Sequence, residues 1–323
     1  MNASSLYAGP GKIRVQYNST PSYINMFPQG EAGDIKMTVN QETDDVGNAI
    51  AGHIDVTAAD CTIKVDVTPF DNWGLFDILF PATIVTPSPG TRFCGANNFT
   101  TTIWATDGRL FTIQNAFISK QPEIHLGNGV NLWGATEITG VVKDGTDEGT
   151  AASFYAVASG QADPGAAAPA DTMSDFIREP WTLQWGAVAG FGALTQAEDE
   201  IVIVPEVKYV PLKVQKLTRA YMLQSVKFMV KLRPVGPTQA NIDNALQIQN
   251  TGLLGRRLGV SSGQATSLVL TGSISGKTIT LPKVNLVTAG YEFGGSKLGN
   301  GEIGFVANMT FSAGAVQALI SHT

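Results

Sequence analysis

The sequence is poor in charged residues. Asp, Glu, Lys and Arg together make up 15% of its 323 residues, against roughly 25% in ordinary soluble domains. A free monomer depends on surface charge for its solubility, so such a chain is easier to understand if other subunits cover much of its surface. The composition therefore favours a protein that assembles with other copies.

Cysteines and long apolar runs are also scarce. Cys61 and Cys94 are the two cysteines, too few for a secreted disulfide scaffold, so we expect a reducing compartment and core packing for both. No run of about 18 apolar residues is present to span a membrane. The first residues lack the apolar segment of a signal peptide. The sequence thus predicts neither secretion nor a membrane partner.

No catalytic or metal-binding motif is recognisable. The patterns G-x-S-x-G, H-E-x-x-H and C-x-x-C are missing. His53 and His125 have no ligand partner at a suitable spacing, and His322, close to the last residue, is expected to be frayed. The acids of Asp144–Glu148 lack the spacing of a calcium loop. We therefore expect no enzyme, no cofactor and no metal site.

The charges that are present are unevenly distributed. The net charge is −6, which opposes tight binding of DNA by bulk attraction. The first half of the chain is acidic, whereas the second half is mildly basic because of the stretch Lys208–Arg233. A solvent-facing or neighbour-facing strand explains this stretch better than a nucleic-acid site.

Alternating apolar and polar residues predict that most of the chain forms β-strands. Gly, Asn, Asp and Pro separate the strands, and long amphipathic helices are missing. The clearest predicted strands are Ile35–Val39, Thr62–Thr68, Leu110–Ile118, Ile201–Val204, Val226–Arg233, Lys277–Val287 and Phe305–Phe311.

Two short helices are predicted, each after a strand that ends in proline. Asp71 can cap the first helix and Pro81 ends it. Trp73, Phe76 and Phe80 then share one buried face of this helix.

The second helix follows Pro234 and is capped by Thr238. Its apolar stripe consists of Ile242, Ala245 and Leu246.

The order of these elements occurs twice, at a nearly constant offset. The aligned segments are Thr62–Pro69 with Lys227–Pro234, Gly108–Ile113 with Gly276–Leu281, and Asp34–Met37 with Glu200–Ile203. A Gly/Asn-rich turn and a final strand close each half. We interpret this as an internal duplication, with a first domain at 1–150, an Ala/Gly/Pro-rich linker or loop at 151–179 and a second domain at 180–323.

The segment Asp60–Pro81, together with Gly9–Ile13 and Pro122–Gly127, resembles bacteriophage tail tube proteins. The resemblance covers most of residues 9–155 and reaches 180–323 only through the repeat. It implies a mainly β fold of two tandem tail-tube-like β-sandwich or β-barrel domains, each with one short α-helix.

The resemblance also implies a function, that of the major tail protein. Six tube domains form a ring, so three chains with two domains each would make a trimer with pseudo-sixfold symmetry. Stacked rings would form the conduit for the tape measure protein and the genome, without specific DNA binding. Further partners would be the tail terminator and the baseplate or distal tail proteins. The protein would be assembled in the bacterial host cytoplasm and reside in the virion tail.

In this family a long loop between the early strands reaches the neighbouring ring. The corresponding segments here are Asn40–His53 and Pro205–Arg219. The resulting ring-stacking candidates are Asp44, Asp45, Lys208, Lys213, Lys216 and Arg219. The opposite charges of the two loops could attract each other across an interface.

The family lumen is usually acidic. It would be of mixed sign here if Lys227, Lys231 and Arg233 faced inward, and the sequence leaves their face open.

Two other functions stay open from the sequence. A distal tail or baseplate hub protein of the same fold would form single rings that do not polymerise. A β-sandwich adhesin would need a ligand site with clustered exposed aromatic residues.

Overall fold

The computed structural model describes residues 10–17, 36–45, 54–67, 69, 73–88, 90–94, 97–105, 107–127, 132–141, 155–161, 179–185, 194–195, 197–214, 217–234, 266–288, 291–294, 297–300, 302–307, 311–312 and 315–323. These residues lie mainly in β-strands, and the strands form two curled antiparallel sheets. The predicted mainly β class is confirmed.

The strands of the first half are β1 (Pro10–Tyr17), β2 (Lys36–Asp45), β3 (Ile54–Val67), β4 (Arg92–Phe93), β5 (Phe99–Ala105), β6 (Leu110–Lys120), β7 (Ile124–Leu126), β8 (Thr136–Val141) and β9 (Tyr155–Ala158). Those of the second half are β10 (Trp181–Trp185), β11 (Leu194–Thr195), β12 (Ala197–Val214), β13 (Leu217–Pro234), β14 (Thr266–Gly272), β15 (Thr278–Thr288), β16 (Tyr291–Gly294), β17 (Lys297–Asn300), β18 (Ile303–Ala307), β19 (Phe311–Ser312), β20 (Ala315–Val316) and β21 (Ser321–His322). The helical segments are a 3-10 turn at Trp73–Leu75, α1 (Phe76–Leu79) and α2 (Ala82–Val85).

The two sheets have the same strand order. The first sheet runs β1-β5-β6-β8-β3-β2, and β9 pairs with β6. The second contains the run β10-β14-β15-β18-β13-β12, and β21 pairs with β15. When each strand is replaced by its counterpart along the chain, one order becomes the other. The second sheet is longer because β11, β4 and β7 extend it.

The register of the strands also corresponds between the sheets. In the first sheet Val65 of β3 lies opposite Ile138 of β8. In the second sheet Val230 of β13 lies opposite Phe305 of β18, and the sequence aligns Val65 with Val230. The ladder between β5 and β6 and the ladder between β14 and β15 agree in the same way.

The alternation of apolar and polar residues in the predicted strands matches the burial of their side chains. Phe228, Val230 and Leu232 of β13 are buried, whereas Lys231 between them is exposed. Side chains alternate between the two faces of a strand, so this pattern places one face of β13 in the core. Burial of each apolar side chain stabilises the fold by about 1.5–3 kcal/mol.

The predicted first helix is present but divided. Trp73, Phe76 and Phe80 are buried, as predicted. The 3-10 turn leads into α1, which ends before Pro81, and α2 begins immediately afterwards with the Pro81 carbonyl accepting a bond from Val85 N at 3.0 Å. Pro81 has no N–H to continue α1, but its fixed φ suits the start of a new helix.

Other parts of the helix prediction lie outside the described residues. They are Asp71 and the second helix with Thr238, Ile242, Ala245 and Leu246.

Part of the predicted linker is structured. Its β9 segment forms a strand of the first sheet, in which Val157 lies opposite Phe111 of β6. At the far end of the linker, Glu179 is buried and accepts a hydrogen bond from Ser275 N at 2.9 Å. The first sheet therefore extends beyond the predicted boundary at residue 150.

The helical segment of the first half packs against the second sheet. Trp73 stacks on Trp181 of β10 with ring centroids 5.9 Å apart. Phe80 lies 6.0 Å from Phe228 of β13. The two sheets therefore contribute to one continuous core.

Candidate assembly interface

A short strand of the first half extends the sheet of the second half. Strand β7 pairs antiparallel with β12, with Leu126 opposite Ile201 and Ile124 opposite Ile203. This contact joins the two halves through backbone hydrogen bonds. It also covers part of the outer edge of β12, which would otherwise be exposed.

The β7 strand belongs to a hairpin. His125 N donates to Leu132 O at 2.8 Å, and Gly134 N donates to Glu123 O at 2.8 Å. A Cβ at Gly134 would lie 3.2 Å from Glu123 N, so glycine permits the close approach of the two arms. The hairpin therefore presents β7 to β12 as a preformed edge.

Polar contacts accompany this pairing. His125 Nδ1 lies 2.8 Å from Glu200 Oε2, and His125 Nε2 lies 3.5 Å from Glu123 Oε2. Each imidazole nitrogen thus has an acidic neighbour. Across the part of the chain that the structure describes, no group of three or more His, Cys, Asp and Glu residues is arranged to hold a metal ion.

A second contact between the halves is aromatic. Strand β4 pairs with β13, with Phe93 opposite Tyr221. Phe93 also contacts Phe117 of β6 and Tyr209 of β12, at centroid distances of 5.0 and 5.3 Å. Aromatic contacts of this kind contribute about 0.5–1.5 kcal/mol each beyond area burial.

Tyr209 of this cluster is also tied to the first half by its hydroxyl group. Its Oη donates to Ile118 O at 3.0 Å, and Gln121 Nε2 donates to Tyr209 Oη at 3.1 Å. Burial raises the pKa of Tyr209 well above that of a free tyrosine, against a smaller lowering effect of Gln121. The phenol therefore stays neutral and keeps its hydrogen bonds across the ordinary pH range.

The third contact joins α1 and α2 to the last residues of the chain. His322 of β21 packs its ring 4.1 Å from the Phe76 ring, and its Nε2 lies 2.9 Å from Asp77 Oδ1. Leu319 N donates to Val85 O at 2.8 Å. The prediction that His322 is frayed is therefore wrong, because strand pairing and α1 both hold it.

Strand β9 of the first sheet is the counterpart of β21 but is more exposed in the described part of the chain. Val157 of β9 pairs with Phe111, as His322 of β21 pairs with Ile279. Val157 is 55% exposed, whereas His322, its counterpart, is partly buried. The two equivalent positions therefore differ in how far their side chains are covered.

The acidic ring-stacking candidates lie in a strand. Asp44 and Asp45 end β2, and the β2–β3 ladder continues as far as Asp45 opposite Ile54. The prediction of a long loop at Asn40–His53 is therefore wrong for its described part, Asn40–Asp45, which is strand.

The basic candidates lie in a similar hairpin. Lys208 and Lys213 belong to β12 and Arg219 belongs to β13. The ladder reaches Val214 opposite Leu217, so the described part of Pro205–Arg219 is strand as well. Lys216 lies outside the described residues. The structure thus places Lys208, Lys213 and Arg219 in the β12–β13 hairpin.

The outward face of β13 carries charge. Lys227 Nζ lies 3.4 Å from Glu206 Oε2 of β12, and Lys231 is exposed. An ion pair this open to water contributes little to stability. The pair therefore affects the charge of this surface more than the stability of the fold.

The outward face of the first sheet carries a tighter polar group around Glu137. Its carboxylate accepts bonds from Ser119 Oγ at 2.6 Å, from Lys64 Nζ at 3.0 Å and from Thr139 Oγ1 at 3.3 Å. Burial raises the pKa of Glu137, but these hydrogen bonds and the Lys64 charge outweigh it, so the pKa lies below its usual value.

Sequence reasoning missed β4 and β7, by which the first half extends the second sheet, and β9, which pairs with β6. They have two to four residues each, too few to show a period. For β7 alone a sequence signal existed, because the segment Pro122–Gly127, which resembles tail tube proteins, contains this strand.

No known protein family matches the chain, and no curated protein matches its sequence. Among the described helices, none is long and apolar enough to cross a membrane. Function must therefore be inferred from the architecture.

Proposed function

We propose that the chain is the tail tube protein of a bacteriophage, a structural subunit with two copies of the tube domain. The observation that carries the proposal is the shared strand order and register of the two sheets. Unrelated β-domains seldom agree in all of their ladders, whereas a duplicated domain keeps them.

Irregular features support the duplication further. The ladder of β6 with β8 shifts between Ile118 and Lys120, and the ladder of β15 with β18 shifts between Leu286 and Thr288. These positions are equivalent in the aligned halves. Bulges are retained within protein families, so a shared bulge is stronger support than a shared strand.

The hairpin turns agree as well. Gly108 and Gly276 precede equivalent strands and both have positive φ, +83° and +69°. Glycine adopts this conformation without strain.

Open strand edges and low surface charge support assembly. Among the described residues, β1 pairs only with β5 and β2 only with β3. A free monomer would be at risk of edge-to-edge aggregation. In a ring, neighbouring subunits would pair with these edges. With 15% charged residues, the chain fits a subunit whose surface is largely covered.

In this proposal three chains close a pseudo-sixfold ring and the rings stack into a tube. The tube encloses the tape measure protein and later conducts DNA. A wall with paired charges, such as Lys227 with Glu206, would offer DNA no continuous basic track.

The test is the mass of the purified assembly and its appearance by negative-stain microscopy. Rings of three chains that stack into long tubes of uniform width are the expected result. Six chains per ring would contradict the duplicated subunit. Single rings that never stack would favour a distal tail or hub protein, and a stable monomer would overturn the proposal.

A further inference from the structure

We propose that β16 of one chain pairs antiparallel with the outer edge of β2 in the next chain. In the proposed register, Phe293 lies opposite Lys36 and Glu292 lies opposite Met37. The inference rests on the proposed ring and names the strands that close it. It follows from a contact that the chain already makes with itself.

That contact is the pairing of β7 with β12, in which His125 lies opposite Val202 and Ile124 opposite Ile203. It joins a hairpin of the first half to the edge of the second sheet. If the halves are equivalent, the hairpin of the second half should meet the edge of the first sheet in the same way.

The donor of the second contact is the β16–β17 hairpin. It follows β15 and precedes β18, as the β7 hairpin follows β6 and precedes β8. Glu292 pairs with Gly299 in this hairpin, as Ile124 pairs with Trp133 in the other. The two hairpins therefore occupy equivalent places in the two halves.

The acceptor is β2. Lys36 lies opposite Asp66 of β3, and Val202 lies opposite Lys231 of β13. Asp66 and Lys231 are aligned in the repeat, so Lys36 occupies the position of Val202.

Both partners are open within the described part of the chain. There, β2 pairs with β3 alone and β16 pairs with β17 alone. The first half thus has an unpaired acceptor edge, β2, and the second half has an unpaired donor hairpin, β16–β17. A head-to-tail interface of this kind closes into a ring when the rotation per subunit permits.

The exposed face at β9 supports the same neighbour. In the second sheet, Phe76 of the first-half helix covers His322. Val157 is the equivalent residue in the first sheet and is 55% exposed. A second-half segment from the neighbouring chain that docks beside β2 would cover it.

The test is disulfide formation in a chain whose native cysteines are replaced by Cys61→Ser and Cys94→Ser. Two pairs are introduced separately, Lys36→Cys with Phe293→Cys and Met37→Cys with Glu292→Cys. Neighbouring antiparallel pairs alternate between Cα distances of about 5.5 and 4.5 Å, so at least one pair suits a disulfide.

The expected result is a covalent dimer and trimer on a non-reducing gel after oxidation of the rings. A matched control, His125→Cys with Val202→Cys, should close within one chain. Lys36→Cys with Leu298→Cys should not close, because Leu298 lies one strand further from β2, about 9.6 Å away.

Rings that form normally without either interchain disulfide, while the intrachain control closes, would overturn this inference and leave the proposed function standing. A wild-type chain that forms no rings would overturn both.

A second measurement needs no cysteine. Rings assembled from a mixture of 14N- and 15N-labelled wild-type chains are treated with a lysine-reactive cross-linker. We expect mixed-label peptides that join Lys36 to Lys297 of β17. Same-label peptides alone, from rings in which other mixed-label links do form, would overturn the inference.

Discussion

The two sheets share strand order and register but differ in how they are completed. The edge of β12 is extended by β7, and His322 is partly buried against Phe76. The edge of β2 has no second partner among the described residues, and Val157 is exposed. The elements that cover the second sheet, β4, β7 and α1, all come from the first half. Among the described residues, the chain itself thus extends the edge of one sheet and leaves the equivalent edge of the other unpaired.

The largest effect is expected at a residue of the first half that contacts the cores of both halves. The Phe80 ring lies 6.2 Å from Trp133 and 6.0 Å from Phe228. Phe80→Ala should reduce the free energy of unfolding by about 4 kcal/mol through lost burial and a residual cavity. Urea unfolding of dilute, unassembled protein, followed by tryptophan fluorescence, measures this loss.

Because Phe80 joins the two sheets, a single cooperative transition should shift as a whole. Phe111→Ala is the control, since this ring is only partly buried, and it should cost less. Two separate transitions, of which Phe80→Ala shifts one, would show that the sheets unfold independently.

A smaller effect separates two equivalent positions in the final strands. Gly140 lies opposite Ala116, as Ala307 lies opposite Val284. A Cβ at Gly140 would overlap with Ile113 Cγ2, so Gly140→Ala should cost about 1–3 kcal/mol through overpacking. The matched change Ala307→Gly should cost about 1 kcal/mol or less. Equal costs at the two positions in urea unfolding would contradict this asymmetry.

The next effect is specific to the first sheet and depends on pH. Gly304 replaces Glu137 at the equivalent position of the second sheet, so the hydrogen bonds to Ser119 and Lys64 have no counterpart there. Glu137→Gln should cost about 1 kcal/mol at neutral pH, a value that allows for the partial exposure of Lys64.

The lowered pKa of folded Glu137 fixes the direction of the pH effect. The unfolded chain takes up the proton first, so the stabilisation is complete above the ordinary glutamate pKa of about 4.3 and is lost as the pH falls through the folded value. Unfolding midpoints of wild type and Glu137→Gln should converge in acid. A difference that persists unchanged there would exclude an ionic contribution.

The smallest effect on folding is expected at the open face of the first sheet. Val157 is 55% exposed, so Val157→Ser should change the free energy of unfolding by less than about 0.5 kcal/mol. Ring formation, measured by mass photometry as a function of concentration, should nevertheless weaken. Normal assembly of this variant would show that Val157 stays open to solvent in the ring.

The sequence predicted those helices and strands that are long enough to show a regular spacing of apolar residues. The alternation in β13 and the buried stripe of Trp73, Phe76 and Phe80 were readable because a period of two or of 3.6 is visible over several residues. The charged hairpin arms were mistaken for loops. Asp44 and Lys208 lie in charged stretches of β2 and β12, and the backbone pairing with the adjacent strand shows that both stretches are strands.

The sequence by itself determined that the chain is mainly β, that it carries little charge and that one order of elements occurs twice. These properties reside in local patterns and composition. The tertiary structure decided which edges are filled, since β7 reaches β12 and α1 reaches His322 only after distant segments have packed. Such contacts depend on geometry between segments far apart in the chain, and no window of neighbouring residues records them.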